Sequence, residues 1–116
     1  MYLIYGNSQI EIQEKINEII QENNSNNVIK YSYIENELLD ILEDASYISM
    51  FEEKKIIVIS ECIFLTSKDT KDVTSLLRCI NNPNESTIII FTLNEEKLDE
   101  RKKITKELKS KCEVYT

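Results

Sequence analysis

The chain has 116 residues, 41% hydrophobic and 30% charged, a composition that fits one soluble domain built around one core. A formal charge of −7 argues against the surface as a whole holding nucleic acid, and the lack of any histidine removes the usual general base and the commonest zinc ligand. The opening "MYLIYGNSQIEIQ" has no basic leader, and no apolar run reaches the length of a membrane span, so a cytoplasmic protein without membrane contact is expected.

Residues 2–5, "YLIY", predict a short strand ended by the turn Gly6-Asn7-Ser8. Asn7 or Ser8 can cap a helix in which Ile12, Ile16, Ile19 and Ile20 recur on one face. The asparagine-rich "NNSNN" at 23–27 breaks that helix, and "VIKYSYI" at 28–34 alternates well enough for a second strand. A second helix is predicted from Glu35, with Leu38, Ile41, Leu42 and Ala45 on one stripe. The stripe continues to Ile48 or Ser49, which leaves Met50-Phe51 at the helix end or in the loop beyond it.

"KIIVIS" at 55–60 reads as a buried strand running loosely into "CIFL". A third helix is predicted to open near Ser67 and to carry Val73, Leu76, Leu77 and Ile80, until Pro83 in "NNPNES" forbids continuation. "TIIIFT" at 87–92 is the most apolar strand, a fourth helix is predicted from about Glu96 to Lys109, and "EVY" at 113–115 closes as a strand. Strict strand–helix alternation predicts an α/β fold, a parallel sheet with helices on both faces joined by right-handed crossovers. The unbroken apolar runs suit central strands covered on both sides. No repeat, linker or low-complexity tail interrupts residues 1–116, so one domain is expected.

Parallel sheets of this kind hold ligands at the carboxyl ends of their strands. After the first strand a phosphate-binding loop needs several glycines and a Gly-Lys-Ser/Thr, because backbone amides must turn sharply and approach the phosphate closely. Gly6 is the only glycine in the protein, so neither a P-loop nor a dinucleotide fingerprint is present. The third strand ends in Ser60-Glu61, where a P-loop ATPase would carry a magnesium-binding acid and then a glutamate. Only the glutamate is kept, and Glu61 also reads as an ordinary surface or capping acid. A receiver-like phosphoacceptor would need an acidic cluster after the first strand and an aspartate after the third, and Gly6-Asn7 and Ser60 supply neither. No catalytic residue, metal ligand or cofactor is therefore expected, and a degenerate nucleotide-binding or receiver-like signalling domain stands as the alternative reading.

Cys62, Cys79 and Cys112 form no CxxC pair and read as buried free thiols. Charge is unevenly spread: residues 1–53 carry eleven acids against Lys15 and Lys30, whereas residues 97–111, "KLDERKKITKELKSK", carry seven bases against three acids. The basic stretch is either a solvated helix face or a phosphate-contacting patch. Met50-Phe51, followed at once by Glu52, Glu53, Lys54 and Lys55, either caps the core from a loop or forms a compact apolar anchor for a partner.

The opening "MYLIYGNSQIEIQEKI", the middle "LLDILEDASYISMFEEKKIIVIS", then "NNPNESTIIIF" and "EKLDERKKITKELK" follow one another in the order and spacing of a known family. In these segments the chain resembles the amino-terminal domain of the delta subunit of the bacterial DNA polymerase III clamp loader. The resemblance implies a three-layer αβα, AAA+-like domain with a degenerate nucleotide site and a five-stranded parallel sheet ordered 5-1-4-3-2. It implies that Ser49, Met50 and Phe51, with Ile48 in support, match a Ser-Leu-Phe-like element whose two apolar residues plug a pocket on the sliding clamp. The function implied is to grip the clamp and help open the ring for loading onto DNA during replication, with ATP hydrolysed by sister subunits of the polymerase III holoenzyme. Other clamp-loader subunits are implied partners of the full-length protein, whose lid and collar domains are absent from residues 1–116. No DNA-contact motif matches, so DNA is expected to be met only indirectly or weakly, with Lys97 to Lys111 the candidate stretch.

Overall fold

The structure, a computed structural model, describes residues 1–47 and 54–116. Five strands, β1 (Tyr2–Tyr5), β2 (Val28–Ser32), β3 (Lys55–Ser60), β4 (Thr87–Leu93) and β5 (Glu113–Tyr115), alternate with four helices, α1 (Gln9–Glu22), α2 (Leu38–Ser46), α3 (Thr74–Asn81) and α4 (Lys103–Lys111). The strands form one all-parallel sheet in the order β2-β3-β4-β1-β5, which is the predicted 5-1-4-3-2 read from the other edge. One row of paired residues, Tyr31, Ile59, Phe91, Leu3 and Val114, crosses all five strands.

Successive strand residues point to opposite faces, and both faces are covered. On one face Ile4, Ile56, Val58 and Ile90 meet Ile12, Ile16 and Ile19 of α1. On the other, Leu3, Ile57, Ile59, Ile89 and Phe91 meet α2, α3 and α4 through Ile41, Leu42, Ala45, Leu76, Ile80, Ile104 and Leu108. Phe64 links this larger core to the turn after β2 and to β4 by edge-on contacts with Tyr33 and Phe91.

Helix α1 starts where a cap allows it: Ser8 is extended and its Oγ accepts from the Glu11 N–H at 3.3 Å. It ends at Asn23, whose side chain donates to the Ile19 carbonyl, and Asn24 takes the left-handed backbone that asparagine tolerates.

Four sequence expectations are corrected. The "CIFL" segment does not prolong β3: Glu61 adopts φ 55 and turns the chain into a short 3-10 helix at Ile63–Leu65. Helix α3 begins at Thr74 rather than near Ser67, because Asp69 and Asp72 carboxylates accept the N–H groups of Lys71 and Thr74 and hold the intervening chain in turns. Helix α4 begins at Lys103 rather than Glu96. There the Asp99 carboxylate accepts the Arg101 N–H, and Lys102 Nζ donates to the Thr66 and Asp69 carbonyls at 2.9 and 2.8 Å. Helix α2 likewise begins three residues later than Glu35, after a turn in which Asn36 Oδ1 accepts the Ser32 N–H.

Phe91 sits fully buried at the centre of the five-residue row, so Phe91→Ala is expected to destabilise folding by ~3–5 kcal/mol. Ile10, 74% exposed on α1, gives the contrast: Ile10→Ala is expected to change stability by less than ~0.5 kcal/mol. Urea unfolding of both variants checks the assignment, and similar losses at the two positions would contradict it.

Candidate functional site

All five strands point the same way, so the connections fall into two sets at opposite ends of the sheet. The carboxyl edge carries Gly6, Ser32 and Glu61; the amino edge carries Met1, Lys55 and Thr87. The candidate relic nucleotide site lies at the carboxyl edge, whereas β3 is entered from α2 at the amino edge.

At the carboxyl edge an open crevice of ≈ 500 Å³ lies between Gly6, Ser8, Glu11, Lys15, Glu96 and Tyr115. Its chemistry does not fit a nucleotide's phosphates. A Cβ at Gly6 would meet nothing within 4 Å, and Gly6 is not in the left-handed region, so this glycine is no cradle for close backbone approach. Glu11 and Glu96 face where anions would sit, with Asn7 Nδ2 donating to Glu96 Oε1 at 3.4 Å. Lys15, the cation of the crevice, pairs with Glu18 at 3.1 Å and lies 3.9 Å from the centre of the Tyr115 ring. Glu61 accepts from Ser32 Oγ at 2.8 Å, and Ser60 Oγ donates to the Tyr31 carbonyl, so the pair at the end of β3 ties it to β2.

The cysteine reading is kept: Cys62 is buried, Cys79 and Cys112 are partly buried, and burial raises all three thiols above the ordinary cysteine range. Among the described residues no cluster of acids and cysteines could hold a metal. No helix among them is long and apolar enough to cross a membrane.

The basic stretch is divided by the late start of α4. Arg101 forks onto Asp99 at 3.0 and 3.2 Å, Lys109 pairs with Glu100, and Lys102 is spent on backbone carbonyls. Lys97, Lys103, Lys106 and Lys111 are exposed and make no ion pair among the described residues.

The residues singled out as a plug, Ile48, Ser49, Met50 and Phe51, lie outside the described residues. What brackets them is well defined. Helix α2 ends without a left-handed cap, since Tyr47 is extended at φ −67 and ψ 125, and side chains from elsewhere take up its terminal carbonyls. Lys55, only 6% exposed, donates from Nζ to the Asp44 carbonyl at 2.8 Å and to Asp44 Oδ1 at 2.6 Å. Tyr31 Oη donates to Asp44 Oδ2 at 2.6 Å. Asn84 Nδ2 donates to the Ala45 and Tyr47 carbonyls at 3.4 and 3.3 Å. On the returning side Ser25 Oγ donates to the Lys54 carbonyl at 2.5 Å, and the Lys55 N–H donates to the Ser86 carbonyl at 3.1 Å.

Sequence reasoning missed this set. Lys55 reads as the polar flank of an apolar strand and Asn84 as turn punctuation. No spacing signals their meeting with Asp44, Ala45 and Tyr47, because only the sheet brings β2, β3 and β4 to the end of α2.

Burial alone would raise the Asp44 carboxyl, but hydrogen bonds from Lys55 and Tyr31 and the Lys55 charge outweigh it and hold the group below its ordinary 3.8. A carboxyl depressed in the folded state stabilises fully above its unfolded value and loses that contribution as pH falls through the folded value. Wild-type stability is therefore expected to fall more steeply than that of Asp44→Asn between about pH 5 and pH 3. Urea midpoints at several pH values measure this, and parallel slopes would remove Asp44 as a source of acid sensitivity.

Against known proteins, the chain matches the family described as "DNA polymerase III, delta subunit" over residues 2–116. It is 29% identical over 119 residues to DNA polymerase III subunit delta of Bacillus subtilis (strain 168), covering 94% of this chain and 34% of that protein. Among solved structures it superposes on the DNA clamp loader delta protein of Bacillus subtilis with a TM-score of 0.85 and 29% identity, covering 98% of this chain and 37% of the other. The chain thus spans about a third of the length of these relatives. With a match that runs from residue 2 to residue 116, over a chain that forms a five-stranded parallel sheet, the chain belongs to the DNA polymerase III delta subunit family.

Proposed function

We propose that this chain serves a clamp loader by binding the sliding clamp through Met50 and Phe51, with Ser49 and Ile48 flanking them, and so helps open the ring for loading onto DNA. The observation that carries this reading is the family match, which runs continuously through the stretch immediately after α2. Its surroundings support it: Tyr47, the last described residue before the stretch, is 65% exposed, and Leu39 on α2 is exposed as well. An exposed aromatic ring at the point where the chain enters that stretch suits a surface that a partner covers. Each side chain of the pair seated in an apolar pocket would contribute ~1.5–3 kcal/mol before ordering costs. Methionine in place of leucine is a volume-conserving change that costs under ~1.5 kcal/mol in such a pocket.

The same reading assigns no ATP hydrolysis to this chain. Ring opening by clamp binding needs no chemistry at the carboxyl edge, and the acids at that crevice oppose phosphate binding. Other loader subunits are the source of ATP turnover and are partners of the full-length protein. Contact with DNA through this chain is indirect or weak, since only Lys97, Lys103, Lys106 and Lys111 of the basic stretch remain uncommitted among the described residues.

Surface-binding to the sliding clamp of the same organism is expected for the wild-type chain and lost, by more than ~100-fold, in the double variant Met50→Ser/Phe51→Ser. Circular dichroism confirms that the variant folds; equal binding by both chains would sink the plug assignment. In a thermal-shift assay with ATP and magnesium no rise in melting temperature is expected, because only a ligand that binds the folded state raises it. A reproducible rise would favour a degenerate nucleotide-binding domain instead.

A further inference from the structure

The end of α2 and the start of β3 are held by side chains from three other parts of the chain, Tyr31, Asn84 and Ser25. We infer that Asn84, Lys55 and Ser25 act as positioning residues for the clamp-binding stretch, fixing the points where the chain leaves α2 and rejoins the sheet. The inference rests on the clamp-binding reading above and adds to it a set of residues outside the Met50-Phe51 stretch.

Asn84 is the centre of the set. Its Oδ1 accepts the Ser86 N–H at 3.1 Å and the Ser86 Oγ–H at 3.0 Å, which closes the turn before β4 and fixes which end of the amide faces α2. The Nδ2 hydrogens are then shared among the Ala45 carbonyl, the Tyr47 carbonyl and Thr87 Oγ1 at 3.3–3.4 Å. One side chain therefore ties the exit of α2 to the first residue of β4. Lys55 supplies the second tie, through Asp44, and stands 5.3 Å from the centre of the Tyr47 ring. Ser25 supplies the third, at Lys54 on the returning side.

A helix end needs its carbonyls hydrogen-bonded, but water suffices for that at an exposed terminus. Here the donors come from rigid strands and strand-entry turns. The two bracketing residues keep a set position while the Tyr47 ring stays exposed. Fixed ends lower the ordering cost that a binding segment meets on docking, which raises affinity without adding a contact.

The test variant is Asn84→Asp. It keeps the acceptor oxygen of the turn, removes the donor hydrogens directed at Ala45, Tyr47 and Thr87, and sets a carboxylate oxygen against the two carbonyls. Ser25→Ala, which removes the tie at Lys54, is the second variant should the first fold poorly. Binding to the sliding clamp is followed by titration calorimetry well below the melting temperature of each variant. The expected result is a ~3- to 10-fold weaker Kd with a more unfavourable binding entropy, with Met50 and Phe51 unchanged. A role in stability alone would lower the melting temperature and leave Kd and entropy where they are. That outcome overturns the inference while the plug reading stands, provided Met50→Ser/Phe51→Ser abolishes binding. If that double variant binds like wild type, the positioning role falls with the plug reading.

Discussion

Burial of β3 and β4 on both faces is the constraint on which the rest of this structure depends. A parallel sheet cannot leave one side to water, because its crossovers must lie over it and its central strands are apolar throughout. "KIIVIS" and "TIIIFTL" meet that condition without interruption, and the isoleucines of α1 and the mixed apolar faces of α2, α3 and α4 supply the covers. The cover is uneven, one helix on one face and three on the other. Phe64 and Tyr33 fill the larger core where the 3-10 turn after β3 would otherwise leave a gap.

The same constraint separates two functions that the fold could have combined. Parallel strands send every helix-to-strand connection to the amino edge and every strand-to-helix connection to the carboxyl edge. Nucleotide-binding relatives of such sheets work at the carboxyl edge. Here that edge carries one glycine, Gly6, beside Glu11 and Glu96, while β3 is entered from α2 at the other edge. The proposed clamp contact and the crevice at the carboxyl edge therefore place no structural demand on each other.

Buried polar groups follow the same logic of edges. Lys55 is the one lysine carried into the amino edge with almost no exposure, and it is paired with Asp44, which Tyr31 also satisfies. Lys102 and Asp69 play the corresponding part where the segment before α3 meets the segment before α4, with Tyr33 donating to Asp69 at 2.6 Å. Each pair orders a connection rather than a core. The cost of desolvating the charge is offset only because several hydrogen bonds converge on it.

What the sequence determined by itself is the alternation of strands and helices and the apolar content of each. β1, β3 and β5 start and stop where "YLIY", "KIIVIS" and "EVY" do, and of the two cap candidates, Asn7 and Ser8, it is Ser8 that caps α1. Composition alone showed that the carboxyl edge lacks a phosphate loop, since one glycine cannot build one. The family resemblance, not periodicity, carried the strand order. The starts of α3 and α4 went unread because Asp69, Asp72 and Asp99 turn their carboxylates onto backbone N–H groups, a choice that depends on Tyr33, Lys102 and the Leu65 carbonyl being nearby. Tertiary structure alone decided the frame around the α2–β3 connection. Asp44, Lys55 and Asn84 are far apart in sequence and of unremarkable type. They become one hydrogen-bonded unit only because β3 and β4 lie side by side beneath the end of α2.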